Sequence, residues 1–466
     1  MRAVSDARSG PREAVARGGP KWRIRALARG VRGFLFGPPP PRPPRPTPEI
    51  LPAPPSEAPG VPELVRAAPR RSVHTAYRLN LVIPSITGPS TFGGIQTAID
   101  LFRSVSDGGV RRRLISVASL DDATGRSFAD FRIVDPSEDS AERSQLVALG
   151  VPVASISDGS PGVGAEEPPD ARPRTIPIGP RDVFIATFWP TALFALDVRA
   201  WQTSTYGSAP KSFAYLIQDF EPGFYARSAS YLLSSSTYCQ PESTVAIFNT
   251  SLLQREFHEA GLRFVSEFSF EPRLAPALRA ALAAPPRPRS RTIVVYGRPS
   301  KPRNGFGLIV EGLRAWRAAT PDASDWRIVS AGESHPDVDI GGGVVLRSIG
   351  KLTMDAYAEL LRTSAIGIAL MISSHPSYPP LEMSHLGLLV LTNSFGEKDL
   401  STWHPNIRSL RQATPAGLAA DLADLCRRFD ADSTAGDRAR PSTTAFLDPG
   451  RQFPFVDDLA RLLEAM

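Results

Sequence analysis

Three cations stand close together in the segment YGRPSKPRNGF, at Arg298, Lys301 and Arg303, directly after an apolar run that reads as a strand and just before a run with helical spacing. A diphosphate bound there would meet fixed cations and a helix N-terminus together. Three charges in a loop are also what a solvated surface turn shows. Their place at the carboxyl end of the first parallel strand of an α/β unit favours the ligand reading, because such sheets bind ligands at that edge.

A second segment, SSHPSYPPLEMSHLG, leaves a buried strand and enters a helix that carries Glu382 near its start. Backbone N–H groups at such a start can hold phosphate, and Glu382 could accept hydrogen bonds from ribose hydroxyls or simply complement the helix dipole. In STFGGIQTAID, Gly93 and Gly94 precede a helical run and permit a close backbone approach to phosphate, or merely a tight turn. In LIQDFEPGFY, Gln218, Asp219 and Glu221 end an apolar strand beside Phe220, Phe224 and Tyr225. Carboxylates next to aromatic faces suit sugar recognition or proton transfer, with Asp219 as candidate base and Gln218 beside it. An Asp at a strand end is equally a turn or cap residue. Glu221 and Tyr225, with Trp189 at the end of DVFIATFW, are placed on the acceptor side. His258, His375 and His385 do not cluster by spacing and neither an HxxxH nor an Asp-x-Asp pair is recognised, so no metal site is expected.

These segments need elements to hold them. From YRLNLVIP at Tyr77 onward, short β-rich runs alternate with longer helical ones, which implies parallel sheets covered by helices. The strands RLISVAS, DVFIATFW and KSFAYLIQDF, with TVAIFNTSLLQREFHEAG after them, form a first doubly wound domain over 75–275. A Pro, Ala and Arg-rich linker at 276–291 follows. A second α/β domain over 292–440 is built from RTIVVYGRP, FGLIVEGLRAWRAA, WRIVSAGE, VVLRSIG, MDAYAELLRTS, AIGIALMI, PPLEMSHLG and LLVLTN. Residues 441–466 end in FVDDLARLLEAM, an amphipathic closing helix with Phe455, Leu459, Leu462 and Leu463 on one face. The cleft between the two domains is where ligands are expected.

The 466-residue chain is long enough for two such domains and a tail. Residues 1–74 read as that tail: 16 of the 47 prolines lie in the first 70 positions, and residues 1–71 hold 14 Lys or Arg against 5 Asp or Glu. That is a balance of +9, which leaves −3 for the rest of a chain whose net charge is +6. The basic excess therefore belongs to the tail, and nucleic acid is discounted as a partner. Within KWRIRALARGVRGFLFG, near 21–36, Ile24, Leu27, Val31 and Leu35 recur at helical spacing among arginines, as in a basic helix lying on anionic lipid. A solvated arm is the alternative. Cys239 and Cys426 are too few and too far apart to staple a secreted fold, and no run of apolar residues is long enough to span a bilayer or to form a signal core. A cytoplasmic protein, peripheral at most to the inner face of the cell membrane, is expected.

The sequence resembles the WsaF-type rhamnosyltransferases of bacterial polysaccharide and S-layer glycan synthesis, relatives of the family 4 glycosyltransferases. The resemblance rests on LIQDFEPGFY, AIFNTSLL, VVYGRPSKPRN, SIGKLTMDAYAELL and MISSHPSYPPLEMSHLGLLVLTN, in that order, and covers roughly residues 76–415. It implies a GT-B fold of two Rossmann-like domains facing a cleft. Arg298 and Arg303 would clamp the donor diphosphate, with Lys301 between them, and the backbone at Ser377 and Tyr378 would bind it too. Gly93 and Gly94 would face it from the other domain, and the turn from Ile349 to Lys351 would lie against the nucleobase. The family's pattern of two glutamates eight positions apart keeps the second as Glu382, but the first falls on Ser374. The implied donor is dTDP-L-rhamnose, with no further cofactor and no metal, and the implied acceptor is a growing glycan carried on lipid. Retention at the anomeric carbon follows family 4, although these residues leave inversion open. Two other readings stay open: a sugar-nucleotide epimerase of the same fold, and a nonenzymatic nucleotide-sugar or glycan binding subunit.

Overall fold

The computed structural model describes residues 61, 63–64, 67–84, 93–105, 111–116, 132–134 and 174–466. The basic amphipathic run near 21–36 lies outside them.

The first half contains strands β1 (Ala67–Arg71), β2 (Arg78–Ile83), β3 (Arg111–Ser116), β4 (Arg132–Val134), β5 (Arg174–Ile178), β6 (Asp182–Ala186), β7 (Phe213–Ile217), β8 (Thr244–Asn249) and β9 (Ser266–Phe270). Its helices are α1 (Gly93–Val105), α2 (Trp189–Tyr206), α3 (Ala229–Ser236) and α4 (Ser251–Glu259). Seven strands form one parallel sheet in the order β4-β3-β2-β6-β7-β8-β9, and β1 pairs in parallel with β5 beside it. Every residue of RLNLVI, DVFIA, FAYLI and TVAIFN is buried, the pattern of parallel strands covered by helices on both faces.

In the second half the strands are β10 (Ser290–Gly297), β11 (Arg327–Gly332), β12 (Val338–Gly341), β13 (Val344–Gly350), β14 (Ser364–Ile368), β15 (Leu389–Thr392) and β16 (Ile407–Ser409). Helices α5 (Pro276–Ala283), α6 (Phe306–Ala319), α7 (Met354–Thr363), α8 (Tyr378–His385) and α9 (Pro415–Ala431) accompany them. The order is β12-β13-β11-β10-β14-β15-β16, parallel except for β12, which pairs antiparallel with β13 at the edge. In both sheets the first long strand is central and the connections reverse direction beside it, between β2 and β6 and between β10 and β14. Ligands of doubly wound sheets bind at the carboxyl ends of the strands on either side of that reversal. The chain thus has the GT-B architecture.

The closing helix α10 (Val456–Glu464) leaves the second half and packs on the first. Phe453, Phe455, Val456, Leu459 and Leu463 join the core formed by Leu79, Leu81, Ile99 and Phe102. Phe455 stacks on Phe268 with ring centroids 4.8 Å apart, and Phe453 meets Phe270 edge-on at 4.9 Å.

Three details differ from the sequence reading. Folded structure begins before residue 75, because Ala67–Arg71 is a strand with Arg70 buried; its arginines and proline disguise it. The stretch 276–291 contains helix α5, whose Leu278 is fully buried among residues of the second half, and the start of β10. Helices α3 and α9 and strands β9, β12 and β16 complete the two halves.

Candidate active site

The loop after β10 divides its cations. Arg298 is half-buried and Lys301 exposed. Both lie near Glu333, whose carboxylate accepts from the Ser300 N–H at 3.2 Å and is held below the usual range first by Ser300 and then by these cations. Arg303 turns the other way, into the cleft. Its guanidinium carbon sits 4.2 Å from the centre of the Phe224 ring, and its Nε is 3.6 Å from Asp219 Oδ2, an ion pair too long for a direct hydrogen bond. Gly305, at φ 58°, ends this loop and starts α6; a Cβ there would press on Leu370.

The loop after β14 answers it. Ser373 Oγ donates to Asp219 Oδ1 at 2.5 Å and accepts from the His375 N–H at 3.0 Å. His375 Nδ1 in turn accepts from the Ser377 N–H at 2.9 Å. Ser377 has φ 66° and ψ 146°, and among the described residues it is the one non-glycine with positive φ. Helix α8 begins immediately after it. Pro379 and Pro380 carry no N–H, so of the first three helical residues only Tyr378 can donate from its backbone. The Tyr378 hydroxyl interacts with Thr97 of α1 and Asn249 of β8, both from the first half. Glu382 is half-buried, and burial raises its carboxyl to about 7. The Tyr357 hydroxyl lies close enough to favour the carboxylate. Ile349 packs in the same apolar cluster as Tyr357 and Tyr378, while Lys351 beyond it is exposed.

A buried charged set fills the floor of the cleft. Burial raises Asp219, opposed first by Arg303 and then by Ser373, the Phe220 N–H and Lys398. Lys398, only 1 % exposed, donates from Nζ to the Met371 carbonyl at 2.6 Å; burial lowers its ammonium to about 7 against the pull of Asp219 and Glu256. Glu256, on α4 of the first half, is raised by burial and opposed first by the Ser374 hydroxyl. Its Oε2 is buried without a hydrogen-bond partner. A carboxylate from the opposite half therefore stands at Ser374, where the resemblance to family 4 lacks one. His375 is driven down to about 3 by burial, with Lys398 and Arg303 adding to the effect.

Two of the acceptor-side candidates, Glu221 and Trp189, are committed to the interior of the first half. Glu221 is buried, and its Oε2 accepts from the Trp189 N–H at 2.6 Å and the Tyr215 hydroxyl at 2.8 Å. It caps α2, and burial raises its carboxyl to about 8. Trp189 is fully buried and donates from Nε1 to the Tyr225 hydroxyl at 2.9 Å, leaving Tyr225 and Phe224 as the half-buried aromatic rim. Gln218 lies against Gly94, where a Cβ would be 2.9 Å from its Oε1, so a side chain at that position would displace the end of Gln218. Gly93 opens α1 beside it, and Thr97 on the same helix reaches Tyr378.

Ser373, His375, Lys398, Glu256, Thr97 and Asn249 were not singled out from the sequence as ligand-binding groups. His375 and Ser373 belong to a motif already read there for phosphate, but the other four are separated from it by over a hundred residues or lie in the unremarkable turn FGEKD. Contrary to the sequence reading, Asp-x-Asp pairs are present, at Asp337-Val-Asp339 and Asp430-Ala-Asp432, but they serve turns and ion pairs: Asp337 Oδ1 accepts from the Ser348 N–H and Asp339 Oδ1 from the Gly341 N–H, while Asp430 pairs with Arg291 and Asp432 with Arg438. No group of three His, Cys, Asp or Glu residues able to hold a metal occurs among the described residues.

Residues 78–152 and 168–251 match the N-terminal domain of WsaF, and residues 291–423 match its C-terminal domain. The chain belongs to the WsaF family. The WsaF matches enclose Asp219, Arg298, Arg303, Ser373, His375, Ser377, Glu382 and Lys398, while Glu256 lies just past the first. The chain is also 31 % identical over 231 residues to the O-antigen biosynthesis protein RfbC of Myxococcus xanthus, covering 50 % of this chain and 17 % of that protein. It thus spans about a sixth of that relative's length. Among solved structures, WaaG, a glycosyltransferase involved in lipopolysaccharide biosynthesis, is similar at TM-score 0.49 and 10 % identity, over 83 % of this chain and 99 % of that one. A glycosyltransferase from Rickettsia africae follows at TM-score 0.46 and 11 % identity, over 84 % and 94 %.

Proposed function

We propose that this WsaF family member is a glycosyltransferase of polysaccharide biosynthesis that moves L-rhamnose from dTDP-L-rhamnose onto a growing, lipid-carried glycan, without a metal and with retention. The observation that carries the transferase reading is the meeting of three strand ends at one cleft: Arg303 after β10, Ser373 to Tyr378 after β14, and Asp219 after β7. Membership of the WsaF family supports the donor, and the resemblance to family 4 supports retention.

In this reading Arg303 holds the donor diphosphate with the Tyr378 N–H and the start of α8, and Arg298 and Lys301 exchange Glu333 for the diphosphate when it binds. Glu382 and the turn from Ile349 to Lys351 receive the nucleoside. As the bond from the anomeric carbon to the diphosphate oxygen breaks, negative charge grows on the leaving group. Fixed cations and oriented dipoles in a site with little water stabilise that charge. The acceptor hydroxyl forms the new bond to the anomeric carbon and gives up its proton. In a retaining transfer the hydroxyl attacks on the side of the leaving diphosphate, whose oxygen takes the proton; Asp219, with Gln218 beside it, is the candidate base that an inverting course would use, and the rim of Phe224 and Tyr225 offers the aromatic face a sugar ring packs against. We place the protein in the cytoplasm, with the arginine-rich segment near 21–36 bringing it to the inner face of the membrane.

The test is transfer itself. The protein, dTDP-L-rhamnose and a rhamnose-terminated acceptor are incubated with chelator, and dTDP release is followed with and without acceptor. Acceptor-dependent release supports the proposal. Ser374, in place of a glutamate, favours a second reading as a nucleotide-sugar binding subunit, which would bind dTDP without release under either condition.

A further inference from the structure

The turn that precedes α8 is strained. Ser377 at φ 66° and ψ 146° occupies a region that suits glycine, and a side chain persists there only where its surroundings over-determine it. Here the surroundings can be named. The Ser377 N–H is fixed by His375 Nδ1, the His375 N–H by Ser373 Oγ, and Ser373 itself donates to Asp219 across the cleft. All four residues are buried.

We infer that His375 and Ser373 are positioning residues: they hold Ser377 in its strained conformation and tie that turn to Asp219 in the other half, so the start of α8 is set for an anionic ligand only when the halves are together. The inference rests on the donor reading above, because that reading gives the turn its ligand.

The chemistry of each link fits the role. To accept from Ser377, His375 must carry its proton on Nε2 and leave Nδ1 bare. Burial with Lys398 and Arg303 nearby keeps the ring neutral to about pH 3, so the acceptor persists at any working pH. The histidine ring also lies beside Tyr378, with centroids 5.9 Å apart, and Tyr378 reaches Thr97 and Asn249 of the first half. The turn is thereby attached to the first half on both sides, by Ser373 to Asp219 and by Tyr378 to Thr97 and Asn249.

A three-variant cycle tests this with dTDP as probe. His375→Ala removes the acceptor and should weaken dTDP binding about tenfold, equivalent to about 1.4 kcal/mol. His375→Asn offers an amide oxygen close to the position of Nδ1 and should recover most of that loss. Adding Ser377→Gly to His375→Ala makes positive φ inexpensive and should recover it too, which loss of packing alone would not allow. Equal dTDP affinity in wild type and His375→Ala, or no recovery from either second change, overturns the inference while leaving the donor reading in place. Failure of the wild type to bind any nucleoside diphosphate overturns the donor reading instead. In that event melting midpoints decide the role of the turn: His375→Ala should lower the midpoint and the added Ser377→Gly raise it again, and identical midpoints overturn the strained-turn assignment.

Discussion

Arg303 Nε stands 3.6 Å from Asp219 Oδ2, joining a cation of the second half to a buried carboxylate of the first. With Asp219 Oδ1 taken by Ser373, both oxygens of the candidate base face groups from the opposite half. An incoming diphosphate would compete with Asp219 for Arg303, and Asp219 would then regain the freedom to take a proton.

Replacing Arg303 by alanine should weaken dTDP binding by roughly ten- to a hundredfold, because hydrogen bonds to charged groups contribute about 1.5 to 3 kcal/mol. Arg298→Ala should weaken it in the same direction. Titration calorimetry of both folded variants is the measurement, and unchanged affinity in both would remove the clamp.

Glu221 gives a pH signature in stability. Its carboxyl titrates near 4.5 in the unfolded chain and at about 8 when folded, so the folded protein holds the extra proton between these values. The stability it contributes is fully present below pH 4.5 and is lost as pH rises through 8, by up to about 1.4 kcal/mol per pH unit. Glu221→Gln does not titrate. Urea unfolding at pH 5 and pH 8.5 should therefore show wild type losing stability relative to this variant, and parallel profiles would contradict the assignment.

The closing helix should stabilise the half it returns to. Phe455→Ala removes a buried ring stacked on Phe268 and should lower stability by about 3 to 5 kcal/mol. Thermal unfolding with separate probes for the two halves would locate that loss in the first half, to which Phe455 contributes core.

Removing residues 1–60 leaves the strand Ala67–Arg71 intact, and the shortened protein should still bind dTDP. It should lose binding to vesicles containing anionic lipid, because residues 1–60 carry most of the chain's excess of arginine. Co-sedimentation with such vesicles reads this, and equal binding by both forms would sink the membrane proposal.

Much of the architecture was legible because buried parallel strands announce themselves. VFIA, FAYLI and VAIF are continuous apolar runs and LNLVI is interrupted only by Asn80, and the switch from these to helical spacing marks the crossovers. Ala67–Arg71 was not legible, since AAPRR has neither alternation nor a run of large apolar residues and is recognised only by its pairing with Arg174–Ile178. In the site, the loops after β10 and β14 stood out by their local composition. Glu221 was misread for a physical reason: a carboxylate beside aromatic residues looks like a sugar contact, but here it caps a helix start 32 positions away. Lys398 could not be seen because folding of the second half brings its turn onto the Met371 carbonyl, and Glu256 because docking of one half on the other brings it to Ser374; no local spacing records either relation.

The most direct test of the central claim is calorimetric titration of the full chain, without added metal, with dTDP, UDP, GDP and their sugar conjugates. The expected result is preferential binding of dTDP and dTDP-L-rhamnose, abolished or strongly weakened in Arg303→Ala. Preference for UDP or GDP would contradict the rhamnosyl donor, and failure to bind any of them would contradict the transferase reading itself.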